Sequence, residues 1–186
     1  MQKSYERNIK KEILERCFKY FVQKGLEQAS IKNLCQETGI SSGSIYYWFK
    51  NRDDTIMEAA KFGMGMVVDE MFNYALANTQ DLQLLINSFF DRLILYKKEL
   101  RFIYQVIMSE KYGADMRSII VTLKTSYDSY GEKLSYKLNI PYAILKPYVY
   151  MFISSVTNYI VWEDYETIQM EIQCICEAVE NIIIKD

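Results

Sequence analysis

The amino-acid sequence predicts an all-α protein of about nine helices, arranged as two domains, residues 1–51 and 52–186. Three observations predict it. Proline is scarce, with 2 residues in 186, glycine numbers 7, and neither forms a cluster; both residues break helix interiors. Apolar residues recur at three- and four-residue intervals, as in Ile168, Ile172, Ile175, Val179 and Ile182, the spacing of one helix face. Short helical stretches flank a glycine near residue 39, which marks a tight turn between helices.

Taken in order, Ser4 is placed to cap a first helix whose Ile9, Ile13, Cys17 and Phe21, with Leu14, Phe18 and Val22 beside them, share one side. Lys24-Gly25 ends it with a cation and a left-handed C′ glycine. Ser30 begins a short helix, IKNLCQET, in which Ile31, Leu34 and Cys35 face inward. Gly39 stops that helix and Ser41 starts the next, so about three residues separate them. Two short helices across a glycine turn, after a longer supporting helix, describe a helix-turn-helix in a three-helix bundle.

The segment GISSGSIYYWFKNR, residues 39–52, then acquires a physical reading. Gly39 permits the turn, Ser41 caps the third helix, and the small residues at its amino end allow close approach to DNA. A helix of about 7 residues is roughly 10 Å long, so its first turn must reach the bases. Ser42, Gly43, Ser44 and Tyr47 face the groove, while Ile45 and Phe49 anchor the helix to the core. Lys50 and Arg52 supply charge that displaces counterions. The plainer alternative is a helical hairpin whose aromatic residues are core.

Asn51 caps a fourth helix, with Asp53 and Asp54 in its first turn where the dipole favours acids. That helix continues to about Ala77 and contains Gly63 and Gly65, which cost about 1 kcal/mol each against alanine. They fit tight helix packing, close approach to a ligand, or a bend between domains. Five further helices follow, coarsely 82–97, 99–111, 115–138, 142–162 and 165–184.

Composition bounds the chemistry. With no histidine in the chain, Ser-His-Asp and Cys-His catalysis and His-ligated metal sites are excluded. No acidic pair sits in a recognisable motif and no Gly-rich phosphate loop is present, so neither catalysis, metal nor cofactor is expected. Cys174 and Cys176 lie two apart, on different faces of a helix, and Cys17 and Cys35 read as small buried residues. The start, MQKSYERNIKK, is polar and lacks an apolar central region; the expectation is a cytoplasmic protein with reduced thiols. Tyr148 to Trp162 runs without a charge, but it is too short and polar for a membrane span of about 20 residues.

Net charge is −2, from 22 Lys and Arg against 24 Asp and Glu. Residues 1–52 hold ten of the cations and five of the acids, a balance of +5, which leaves −7 for the remainder. A basic first quarter on an acidic body suits a nucleic-acid binder with a separate second domain.

GISSGSIYYWFKNR resembles the signature of the tetracycline-repressor (TetR) family of bacterial regulators, and Phe21, Gly25 and Ser30-Ile31 extend the match backwards over about 50 residues. The resemblance implies that Ser30, Ser44, Tyr46 or Tyr47, and Lys50 contact the DNA backbone, with Ser42, Gly43 and Tyr47 nearest the bases. The full set of candidate DNA contacts adds Lys32, Ser41 and Arg52. Ser42 stands where the family often has lysine, Tyr47 where it has histidine and Trp48 where it has tyrosine, so the operator does not carry over.

In the second domain Phe89, Phe90, Tyr96, Tyr104, Tyr127 and Tyr130, with Met66 and Met108, are candidates to line an effector cavity. Phe102 belongs to the same aromatic series, and Glu110 or Asp128 could face a cationic ligand. A hydrophobic, aromatic or cationic small molecule fits such a lining. The last two helices are apolar over more than half their surface and need a second partner besides the core. By the resemblance, Phe152, Val156, Tyr159, Ile168, Ile172, Ile175 and Val179 meet the same helices of a second subunit. The resulting expectation is a homodimeric regulator, a repressor rather than an activator, released from a palindromic operator by a small molecule. The rival expectation is a helical dimer that binds protein without specific DNA binding.

Overall fold

A computed structural model of the chain describes residues 2–77 and 82–183. Among these it has nine helices and no strand: α1 (Gln2–Gln28), α2 (Ile31–Thr38), α3 (Ser42–Trp48), α4 (Arg52–Ala77), α5 (Leu82–Leu95), α6 (Lys97–Met108), α7 (Gly113–Leu138), α8 (Tyr142–Trp162) and α9 (Tyr165–Ile183). The predicted all-α class is the observed one. Boundaries fall within a few residues of those expected, the usual scatter at helix ends; α1 already begins at Gln2, before Ser4. The expected last residue of the ninth helix, 184, lies outside the described residues.

The chain divides into two compact units, one of residues 1–67 and 98–119, the other of 68–97 and 120–186. The first is built on α1, which breaks at Gly25 (φ 75°, ψ 172°), a positive φ that a side chain would resist. Cys17, Phe18, Phe21, Leu34, Ile45, Phe49, Ile56 and Val106 form its interior. Phe18 meets Phe102 edge-on at 5.9 Å between centroids, and Phe21 stacks on Phe102 at 6.2 Å. Gly63 of α4 lies against Phe18: a Cβ there would sit 2.1 Å from the ring. Of the readings open for Gly63, tight helix packing is the one observed. Gly65, two residues on, has open space around it.

The second unit packs α8 against α9, with α5 and the distal parts of α4 and α7. Ile140, Leu145, Val149 and Val179 form one buried cluster. Asp128 ties α7 to α8, its Oδ1 accepting from Tyr142 at 2.6 Å, Tyr150 at 3.1 Å and Lys146 at 3.1 Å. Those partners, Tyr142 first, hold its carboxyl below the usual carboxylate range. Gly131 admits the Tyr142 ring, since a Cβ there would meet it at 2.5 Å. The turn into α9 uses Glu163 in the left-handed region, after which Asp164 caps α9 through Thr167. No helix among the described residues is long and apolar enough to cross a membrane.

Candidate nucleic-acid interface and ligand cavity

Each helix of the helix-turn-helix is started and stopped by its own side chains. Ser30 Oγ accepts from the Asn33 N–H at 3.1 Å, opening α2. Gly39 closes it in the left-handed conformation (φ 71°, ψ 8°), donating its N–H to Cys35 O at 3.0 Å. Ser41 Oγ accepts from the Ser44 N–H at 3.0 Å and lies 2.9 Å from Ser44 Oγ, opening α3. Phe49 terminates α3 in extended conformation, its N–H donated to Ile45 O at 2.9 Å. The capping roles read from the sequence at Ser30, Gly39 and Ser41 are thus the observed ones.

Ile45 and Phe49 are fully buried and hold α3 by one side. Its other side is open: Ser41, Ser42, Gly43, Tyr46 and Tyr47 are exposed, Tyr47 by 72%. Trp48 meets Tyr47 edge-on at 4.8 Å, which limits the ring's freedom. Ser44 and Ser30 are half-buried, Lys32 and Lys50 exposed. The predicted residues other than Arg52 therefore lie along the caps, the open side of α3 and the segments flanking it.

Arg52 departs from the expectation. Its guanidinium turns inward, Nε donating to Ala29 O at 2.5 Å and Nη2 to Leu26 O, and Nη1 pairs with Asp53 at 3.5 Å. Two backbone carbonyls at the α1–α2 junction outcompete solvent for a planar donor fork, so this cation is spent on the fold. Asp53 in turn accepts from Tyr112 Oη at 2.8 Å and pairs with Lys111 at 2.7 Å. Lys111 foremost, with Tyr112, holds the Asp53 carboxyl below its ordinary value. Sequence reasoning missed this cluster, because nothing in the pattern links residue 53 to residues 111 and 112. Asn51 does cap α4, its Oδ1 accepting from the Asp54 N–H at 2.9 Å, while Asp54 Oδ2 accepts from the Lys50 N–H at 2.9 Å.

The second unit contains a partly open cavity of about 120 Å³. Of the eight residues expected around an effector, Phe89 and Tyr130 line it. Tyr127 contacts the cavity residue Phe72 at 5.7 Å, and Phe90 is buried against Tyr165 at 5.6 Å. Tyr96 is half-buried. Met66 and Tyr104 belong to the other unit, as does Met108, which is 80% exposed. Neither suggested carboxylate serves a cation here: Asp128 is committed to Tyr142, Tyr150 and Lys146, and Glu110 is exposed in the first unit. Most of the remaining wall is aliphatic, including Leu134, Leu145 and Val179, residues whose pattern reads simply as core.

Five of the seven residues expected to meet a second subunit face the protomer's own core. Tyr159, Ile168, Ile172, Ile175 and Val179 are buried in the protomer itself, and Val156 and Phe152 are half-buried, Phe152 packing on Phe89 at 4.4 Å. The most apolar stripe of each helix turns to its own core, where burial removes most surface from water. The outward sides carry Met151, Trp162 and Met170 instead, exposed by 53%, 76% and 61%. Glu171 Oε2 is buried with no hydrogen-bond partner in the protomer. All four cysteines are free. Among the described residues no cluster of three metal-ligating side chains occurs.

Comparison with known proteins bears on the first unit. Residues 13–59 match the profile of bacterial regulatory proteins of the tetR family. Three proteins of Bacillus subtilis (strain 168) are similar to about a third of the chain. An uncharacterized HTH-type transcriptional regulator, YerO, is 33% identical over 67 residues, which is 36% of this chain and 23% of YerO. The HTH-type transcriptional regulator PksA is 29% identical over 66 residues, 36% of this chain and 32% of PksA. The fatty acid metabolism regulator protein is 25% identical over 60 residues, 32% of this chain and 31% of that protein. The chain thus matches about a quarter to a third of the length of these relatives. No solved structure matches.

Proposed function

Because the amino-terminal part of this chain belongs to the tetR family of bacterial regulatory proteins, we propose that the whole protein is a homodimeric transcriptional repressor. It binds a palindromic operator and is released by a small molecule held in its second unit. The observation that carries this reading is the tip of α3. A short helix, anchored by Ile45 and Phe49, holds serines, a glycine and two tyrosines out into solvent. Such a tip fits a major groove about 12 Å wide. Ser42, Gly43 and Tyr47 lie nearest the bases, and Ser30, Ser44, Tyr46, Lys32 and Lys50 meet the phosphate backbone. Arg52 supports the motif from behind.

Pairing of two copies uses the outward sides of α8 and α9. What supports this is the exposure of Met151, Trp162 and Met170, together with the orphan oxygen of Glu171, which a donor from the second copy would satisfy. A two-fold dimer sets its two α3 helices about 34–36 Å apart or somewhat more, hence the palindrome. A ligand that favours a protomer conformation with another separation weakens DNA binding without touching DNA.

The test is footprinting on the intergenic DNA beside the protein's own gene. A protected, two-fold symmetric site is expected, with Tyr47→Ala or Lys50→Ala reducing occupancy at least about tenfold. No protected site there or in neighbouring intergenic DNA would count against the proposal, and full protection by both variants would displace α3 as the reading helix.

A further inference from the structure

The cavity of the second unit is walled almost entirely by carbon. Leu76, Leu134, Leu138, Leu145, Val149 and Val179 contribute aliphatic surface. Four of its five aromatic residues, all but Tyr148, are engaged in pairs. Phe72 and Tyr130 stack at 4.7 Å with planes 8° apart, and Phe89 meets Phe152 edge-on at 4.4 Å. The Tyr130 ring also lies under Lys133 at 4.8 Å, and its hydroxyl donates to Asp69 at 3.0 Å. No charged side chain is among the described residues of the wall. Cys176 is there as a neutral thiol, burial having pushed it up to about 12.

These facts decide between two kinds of guest. An aromatic cage binds a quaternary ammonium when ring faces point at it, with strength rising where the cation is desolvated. Here the Phe72 and Tyr130 faces are turned to each other, Tyr130 already carries a lysine, and no acid offsets the lost hydration of a cation. A dry apolar cavity near 150 Å³ takes up benzene, so one of about 120 Å³ has room for a single compact hydrocarbon group.

We infer that this cavity is a selective site for an uncharged, compact hydrocarbon moiety, a branched alkyl group or a single ring, and that it rejects cations of the same shape. The inference deepens the proposed function by naming the ligand class, and it rests on reading the second unit as the sensor. The ligand is the neutral group itself or the buried end of a larger amphiphile whose polar end remains outside.

The experiment uses two isosteric probes on the full chain without DNA. 3,3-Dimethyl-1-butanol and choline share shape and hydroxyl, and differ in a quaternary carbon against a quaternary nitrogen with its charge. Binding is followed by protein-detected NMR. Saturable binding of the alcohol is expected below about 10 mM, with choline at least tenfold weaker. Filling the cavity by Val149→Phe, or by Cys176→Met if the first variant does not fold, should abolish the alcohol response. Contacts from the probe methyls to Phe72 or Leu134 protons locate the site independently of any variant.

Choline binding as tightly as the alcohol, no saturable binding of the alcohol, or undiminished binding in a folded filled variant would each overturn the inference. Since no DNA is present, absence of an operator would defeat the regulatory reading and leave this comparison standing. Binding of the alcohol without release of DNA would likewise support the cavity's selectivity while removing its proposed role.

Discussion

Two glycines only two residues apart on α4, and so on different sides of the helix, are expected to respond to the same substitution with opposite signs. Ala at either position gains about 1 kcal/mol of helix propensity over glycine. At Gly65 nothing lies within 4 Å of the added Cβ, so Gly65→Ala should stabilise by close to that amount. At Gly63 the Cβ would sit 2.1, 2.2 and 2.4 Å from three atoms of the Phe18 ring. Ordinary contact begins near 3.4 Å, so the ring must retreat by more than 1 Å. Phe18 is 1% exposed and already packed on Phe102, which leaves it little space. Overpacking of this kind costs about 1–3 kcal/mol, occasionally more. It cancels or exceeds the propensity gain, and Gly63→Ala should destabilise by up to about 2 kcal/mol. Urea unfolding followed by far-ultraviolet circular dichroism reads both variants. Adding Phe18→Leu should turn the Gly63→Ala effect less unfavourable than it is beside Phe18, a coupling visible in the double-mutant cycle. Equal stabilisation by both alanines would refute the packing argument.

The reassignment of Arg52 predicts that Arg52→Lys destabilises the fold by about 1–2 kcal/mol, since an ammonium cannot span both Ala29 O and Leu26 O; unchanged thermal stability would return Arg52 to the DNA surface. Ser41→Ala removes the cap of α3 and should cost about 1 kcal/mol by chemical denaturation, with weaker operator binding alongside. Asp53 has its folded pKa below the unfolded value, near 3.8, so its stabilisation is full above that pH and fades as pH falls through the folded value. The stability gap between wild type and Asp53→Asn, about 1 kcal/mol after allowance for exposure, should therefore hold down to about pH 4 and shrink as the pH falls further in denaturant titrations; a gap that grew in acid would reverse the assignment. Met170→Lys should shift the chain toward monomer in sedimentation, while Met108→Lys, at another exposed methionine, should not.

Much of the first unit was legible because its signals are local. Ser30, Gly39, Ser41 and Asn51 act on backbone groups within a few residues of themselves, so their roles follow from sequence spacing alone. The helix count and class were legible for the same reason. Arg52, Asp53 and Tyr112 were not, because their partners lie 23 to 59 residues away and a cation beside a helix-turn-helix reads equally as a DNA contact. In α8 and α9 periodicity found an apolar stripe correctly and could not say what it faces. The stripe of Ile168, Ile172 and Ile175 serves the protomer's own core, which leaves a weaker, Met- and Trp-bearing side outward. Counting aromatics likewise located a region without its cavity: aliphatic residues on four helices close that space, and only packing brings them together.

The most direct measurement is the affinity of the protein for its footprinted site against a scrambled duplex of equal length, by fluorescence anisotropy across a range of salt concentrations. Binding to the site should be at least about a thousandfold tighter, with affinity for both duplexes falling steeply as salt rises. Equal affinities at every salt concentration would mean that the exposed end of α3 reads no sequence.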